Sequence, residues 1–159
     1  MTQAQYPSVH ADRKTLDEVR ARRASLRKAM SAVGTAVEAP LAERPNEWAA
    51  QLVGDLTRLS AAWERHITIT EADGGLFGQI RSDAPELDPQ LQQLHREHDK
   101  LRDAISIASS VITGAAGDET MLHQLREQVT ILISDLIRHR QRGADLVYRA
   151  YEVDLGGGG

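Results

Sequence analysis

The chain has 159 residues, 41% of them hydrophobic, 26% charged and 4% aromatic, with a formal net charge of −4 and no cysteine. That length suffices for one hydrophobic core and not for two. The missing cysteine excludes disulfides, thiolate zinc sites, iron–sulfur clusters and cysteine nucleophiles, and the acidic, aromatic-poor composition argues against a nucleic-acid partner.

No apolar run approaches the roughly 18–20 residues that span a bilayer, so no membrane association is expected. The twin arginine Arg22-Arg23 resembles an export signal only loosely. Arg27 and Lys28 interrupt the apolar stretch such a signal needs, and the chain reads as cytoplasmic.

Residues 1–14 read as an N-terminal arm. A first helix is expected from the capping-box pattern Thr15-Leu16-Asp17-Glu18 to just before Pro40. A second follows Arg44-Pro45-Asn46-Glu47 and stops at Gly74-Gly75. A third opens at Asp88-Pro89 and fades at Thr113-Gly114, and a fourth runs from Asp118-Glu119 to about Tyr151. Residues 152–159 form a glycine-rich tail expected to be flexible.

Within each segment the apolar residues step by threes and fours, the mark of one helix face. The series are Leu16, Val19, Leu26, Met30, Val33, Val37; then Leu52, Leu56, Leu59, Trp63; then Leu87, Leu91, Leu94, Leu101, Ile105, Ala108, Ile112; and last Leu122, Leu125, Val129, Leu132, Leu136, Leu146. Four amphipathic helices over residues 15–151, joined by short loops, predict an all-α fold, an antiparallel up-down-up-down four-helix bundle.

The informative residues interrupt those series. Arg23, His66, Thr70, His98, His139 and Gly143 all fall on core stripes, where a polar group costs free energy unless it finds a partner. At 1.5 Å per residue, Arg23 lies roughly 12 Å from the start of the first helix and His98 roughly 14 Å from the start of the third. His66 lies roughly 10 Å before the end of the second and His139 roughly 17 Å before the end of the fourth. In an up-down bundle these heights coincide, so three histidines and an arginine are expected in one layer.

Bundle interiors build metal sites from inward histidines and carboxylates, and neutral imidazole suits iron, zinc, copper or nickel. Glu71, five residues after His66, is the carboxylate expected to complete the set of His66, His98 and His139. His95, one turn before His98, and Asp145, near the fourth helix's end of the site, are further candidates. Tyr148 and Tyr151 lie beyond His139 where they could close the pocket. His10 and His123 read as surface residues, and the basic cluster Arg20, Arg22, Arg27, Lys28 and the run Arg138, Arg140, Arg142 as solvated helix faces. A hydrogen-bonded layer without metal stays open at this point.

On these residues the chain resembles the hemerythrin-like (HHE cation-binding) family over roughly residues 15–151. The matching pieces are His66, the run Arg96-Glu97-His98, and His139. The ending from His139 to Tyr148, and His66-Ile67-Thr68-Ile69-Thr70-Glu71 followed by Gly74-Gly75-Leu76-Phe77, look like a divergent actinobacterial branch. The resemblance implies a non-haem iron centre, of one or two ions, that binds or senses dioxygen or a related small ligand such as an anion. The family's first-helix histidine falls here on Arg23, and its bridging carboxylates fall on Thr70 and Gly143. Arg23 would then replace one cation, pairing with Glu71 or holding an anionic ligand. Two other functions remain open: a metal-free helical interaction module whose site has decayed, and a small peroxide- or oxygen-handling iron enzyme using Arg23 and Tyr148. Of these, a binding protein is expected ahead of an enzyme.

Overall fold

The computed structural model describes residues 13–115 and 117–152. Among them are four long helices, one short helix and no strand. The long helices are α1 (Arg13–Glu38), α2 (Pro45–Glu71), α4 (Asp88–Gly114) and α5 (Glu119–Tyr151); α3 (Leu76–Asp83) is the short one. A 3₁₀ turn at Pro85–Leu87 joins α3 to α4. Most of the expected arm, the tail and His10 lie outside the described residues.

The observed boundaries follow local chemistry. The chain is already helical at Arg13, so Thr15 falls inside α1, past the start expected from the capping pattern. Pro45 opens α2 in the first turn, where its missing N–H costs nothing. Asp118 caps α5 by accepting the backbone N–H of Met121 at 3.1 Å. Arg126 of α5 donates to the carbonyls of Val37 (2.9 Å) and Ala39 (2.5 Å), satisfying the orphan acceptors at the end of α1.

The glycine pair does not simply end a helix. Gly74 takes a left-handed φ of 73°. A Cβ at Gly75 would stand 2.7 Å from the carbonyl oxygen of Ala72, so only glycine fits that reversal. The chain pivots there into α3, an element the sequence does not announce.

Helix α1 packs on α2, α2 on α4, α4 on α5, and α5 back on α1. Every apolar residue of the four stripes is buried. The interior divides in two. A large cluster holds Trp48, Leu52, Leu56, Leu59 and Trp63 of α2, Ile105 of α4 and the first half of α5. A smaller one gathers Leu16 and Val19 of α1, Leu76, Phe77 and Ile80 of α3, and Leu146, Val147 and Tyr151 of α5. Between them lie Arg23, His66, Thr70, His98, His139 and Arg140, all buried. Helix α3 therefore covers one end of the interior and roofs a polar layer. Among the described residues no helix is long and apolar enough to cross a membrane.

Candidate metal centre

Three helices each deliver one histidine to this layer because the core stripe of each is interrupted at the same height. His66 comes from α2, His98 from α4 and His139 from α5, and all three are at most 8% exposed. One ring nitrogen from each lies within 4.8 Å of the others. His66 Nε2 and His139 Nε2 are 3.3 Å apart. Trp63 stacks on His66 at 4.9 Å between centroids, and Phe77 of α3 stacks on His98 at 5.3 Å. The Trp63 indole N–H donates to the His98 carbonyl at 3.1 Å. Ring orientations are thus fixed by packing from both apolar clusters.

Two carboxylates stand behind the imidazoles. Glu71 Oε1 is 2.6 Å from His98 Nδ1, and Glu97 Oε2 is 2.6 Å from His139 Nδ1. Arg142 holds the other oxygen of Glu97. With its Nδ1–H given to a carboxylate, each neutral ring turns the Nε2 lone pair inward. His98 Nε2 is buried and has no hydrogen-bond partner among the described residues. A carboxylate behind each ligating histidine is the usual way to fix its tautomer and raise its basicity.

Burial favours the neutral form of two of the three rings. Burial, reinforced by the charges of His139, His98, Arg23 and Arg140, holds His66 well below its ordinary 6.5. Burial also pushes His98 down to about 4, against the Glu71 hydrogen bond, which pulls the other way. For Glu97 burial opposes ionisation, but the His139 hydrogen bond and the charges of His139 and Arg142 outweigh it and keep the carboxyl below its usual range. Ligation needs a neutral ring, the form that burial favours for His66 and His98.

The remaining candidates fall in different places. Glu71 stands behind His98 and also meets exposed His95 at 3.0 Å from its Nδ1; it is not among the three groups whose ligand atoms converge. Arg23 lies in the layer and donates to the Arg140 carbonyl at 3.2 Å. Thr70 turns its hydroxyl back to the carbonyls of His66 and Ile67. Asp145 is exposed beside Arg142 and Arg149, and Tyr148 is 58% exposed, so neither joins the histidines. Tyr151 is buried in the smaller apolar cluster and does not line the pocket; its hydroxyl donates to Asp83 at 2.8 Å. Burial and that carboxylate push its phenol up.

Two residues of the layer lie outside the sequence expectation. Glu97 stands out in sequence only as the residue before His98, and its partner lies on another helix. Arg140 belongs to a run expected on the surface, yet it is 3% exposed, with Nε and Nη1 lacking hydrogen-bond partners. Its spacing of four from Leu136 and seven from Val147 is the available signal. Burial, with Arg23 and Arg27 nearby, lowers its guanidinium to about 10, so it stays charged at neutral pH.

A cavity of about 20 Å³ opens beside His66 and His139, bounded also by Arg23, Arg140, Thr70 and Gly143, with α3 above. That is room for about one water-sized molecule. A Cβ at Gly143 would meet nothing within 4 Å. Gly143→Ala should therefore stabilise the protein by about 0.5–1 kcal/mol through reduced unfolded-state freedom, seen as a higher urea midpoint; a lower midpoint would mean that the helix needs glycine there.

No family model matches the chain, and no curated protein or solved structure matches it either.

Proposed function

We propose that this chain is a hemerythrin-like metal-binding protein that holds one non-haem ion, iron by the family it resembles, on His66, His98 and His139. The observation that carries the proposal is the buried, unpartnered Nε2 of His98 facing two other inward imidazoles. The donor set fits: nitrogens bound about 2.0–2.1 Å from one tetrahedral ion stand roughly 3.3–3.4 Å apart. His66 and His139 already have that separation, at 3.3 Å, and the three ligand atoms together lie within 4.8 Å, so His98 would draw in to complete the set. Iron bound there would supply a coordination position for dioxygen or a related small ligand.

The chain's own groups would do the rest. Glu71 and Glu97 orient two imidazoles and offset the ion's charge. Arg23 and Arg140 place fixed positive charge by the cavity, which suits an anionic ligand and opposes a second metal ion. Thr70 and Gly143 offer no carboxylate to bridge two ions. An antiparallel up-down-up-down course of the four long helices is supported by contacts pairing Glu64 with Arg102 and Glu71 with His95, Glu97 with His139, and Arg23 with Arg140. Glu71 ends α2 and meets His95 early in α4, while Glu97 and Arg23 lie early in their helices and meet His139 and Arg140 late in α5.

A metal-free polar layer is the second reading. It is favoured by the His66–His139 contact, which is also within hydrogen-bond distance. An oxygen-processing enzyme draws less support, because the exposed Tyr148 is not placed to donate a proton. Elemental analysis of protein from an iron-supplemented culture separates these readings. About one ion per chain is expected. None, even after anaerobic reconstitution with ferrous iron, overturns the proposal, and two ions overturn its mononuclear form.

A further inference from the structure

A second cavity, of about 790 Å³, runs between α1 and α5. Its α1 wall carries Ala24, Ser31, Gly34 and Thr35, small residues on the solvent side of the buried α1 stripe, so the groove is open to solvent. A Cβ at Gly34 would meet nothing within 4 Å. The floor is Met30 from α1 with Ile133 and Ile137 from α5, and at one end it meets Arg140. The volume lies in the range of about 300–1,000 Å³ that small-molecule sites occupy.

Arg140 sets the chemistry of that end. It is 3% exposed, and its Nε and Nη1 have no hydrogen-bond partner. No carboxylate pairs with it among the described residues, and the charges of Arg23 and Arg27 act on it. Arg27 and Lys28 also line the groove, with no acidic partner among the described residues; the carboxylate of the lining, Glu38, follows Gly34 by four residues, away from Arg27. A buried guanidinium surrounded by cations is costly to fold unless an anion completes it. An arginine fork beside an apolar floor matches a planar carboxylate joined to a hydrocarbon body.

We propose that the α1–α5 groove binds an amphipathic organic carboxylate, its head on Arg140 with Arg27 and Lys28, its chain along Met30, Ile137 and Ile133. The course from Arg140 to Ile133 covers roughly 10 Å of helix, a length that octanoate spans. None of the three histidines lines the groove, so the site does not need the metal reading, although Arg140 also borders the small cavity beside His66 and His139.

Octanoate titrated calorimetrically into the full chain tests the site, with inorganic phosphate and 1-octanol as the head-only and tail-only controls. Saturable binding of one octanoate per chain is expected, with both controls at least tenfold weaker. Arg140→Met should weaken octanoate at least tenfold while the melting temperature holds or rises, because a buried unpaired charge is gone. Gly34→Phe, which places a ring over Met30 and Ile133 on the path of the chain, should weaken octanoate at least tenfold and leave both the helical circular dichroism and the metal content unchanged. No binding at millimolar octanoate overturns the proposal, as does undiminished affinity in either variant. Equal affinity for phosphate or octanol overturns the ligand class.

Discussion

His98→Ala should take the metal content from about one ion per chain to near zero while the helical circular dichroism stays close to that of the parent. The ring is 0% exposed and supplies the one inward nitrogen with no other partner. Its removal leaves two imidazoles, too few to hold an ion against exchange with solvent. The structural cost is separate and smaller. Deleting the ring creates a cavity beside Phe77 and frees Glu71, which keeps exposed His95 as a partner at 3.0 Å. Core truncations of this kind cost about 2–5 kcal/mol, and a ring with an unsatisfied nitrogen belongs at the lower end of that range.

Glu97→Gln sharpens the same prediction, because it leaves the core filled. Glutamine can still accept the His139 Nδ1–H but carries no charge. Losing an outer carboxylate of this kind typically weakens metal binding about 10–100-fold. A competitive chelator titration would read that loss directly. In a metal-free layer, Glu97→Gln would alter stability only, through Arg142 and His139. Metal retention at parental affinity in both variants would therefore remove the three-histidine site.

How far the sequence reveals this site depends on what kind of information each residue carries. His66, His98 and His139 are legible because each breaks a period that belongs to its own helix, and counting residues along four helices brings them to one height. Arg23 and Thr70 are legible for the same reason. Glu97 and Arg140 are not, because their significance lies across a helix interface. Glu97 flanks the α4 stripe and matters only when α5 brings His139 within 2.6 Å. Glu71 is found in sequence beside His66, yet its carboxylate turns to His98 on the neighbouring helix.

The same distinction explains α3. Leu76, Phe77, Ile80, Ala84 and Leu87 are all buried, but the stretch is too short for its period to stand out and contains Gly78 and Pro85. The segment between Gly75 and Asp88 therefore reads as a connection. Its apolar residues become a helix because the second cluster needs a roof, and tertiary burial outweighs weak local propensity. Phe77 then reaches His98, which no pattern within the segment announces.

The metal-free protein should lose stability steeply as pH falls from about 7 toward 4, and the direction follows from the buried rings. An unfolded chain binds a proton at each histidine near 6.5, whereas in the folded state His98 is held to about 4 and His66 well below 6.5, both chiefly by burial. Between these values the unfolded state carries more protons, so stability rises with pH through the window. The full contribution is present above about 6.5 and disappears as pH falls to the folded-state value. One pKa unit is worth about 1.4 kcal/mol, so His98 alone accounts for about 3 kcal/mol, and His66 adds to it in the same direction. Set against a typical total of about 5–15 kcal/mol, the loss is a substantial share of the stability of the fold. Urea titrations of the metal-free chain across this range should show the unfolding free energy falling, and His98→Ala should flatten the curve by removing one of its two main sources. A parental curve that stays level down to pH about 4 would mean that the rings are solvated or charged in the folded state, and neither condition is compatible with three neutral imidazoles converging on an ion.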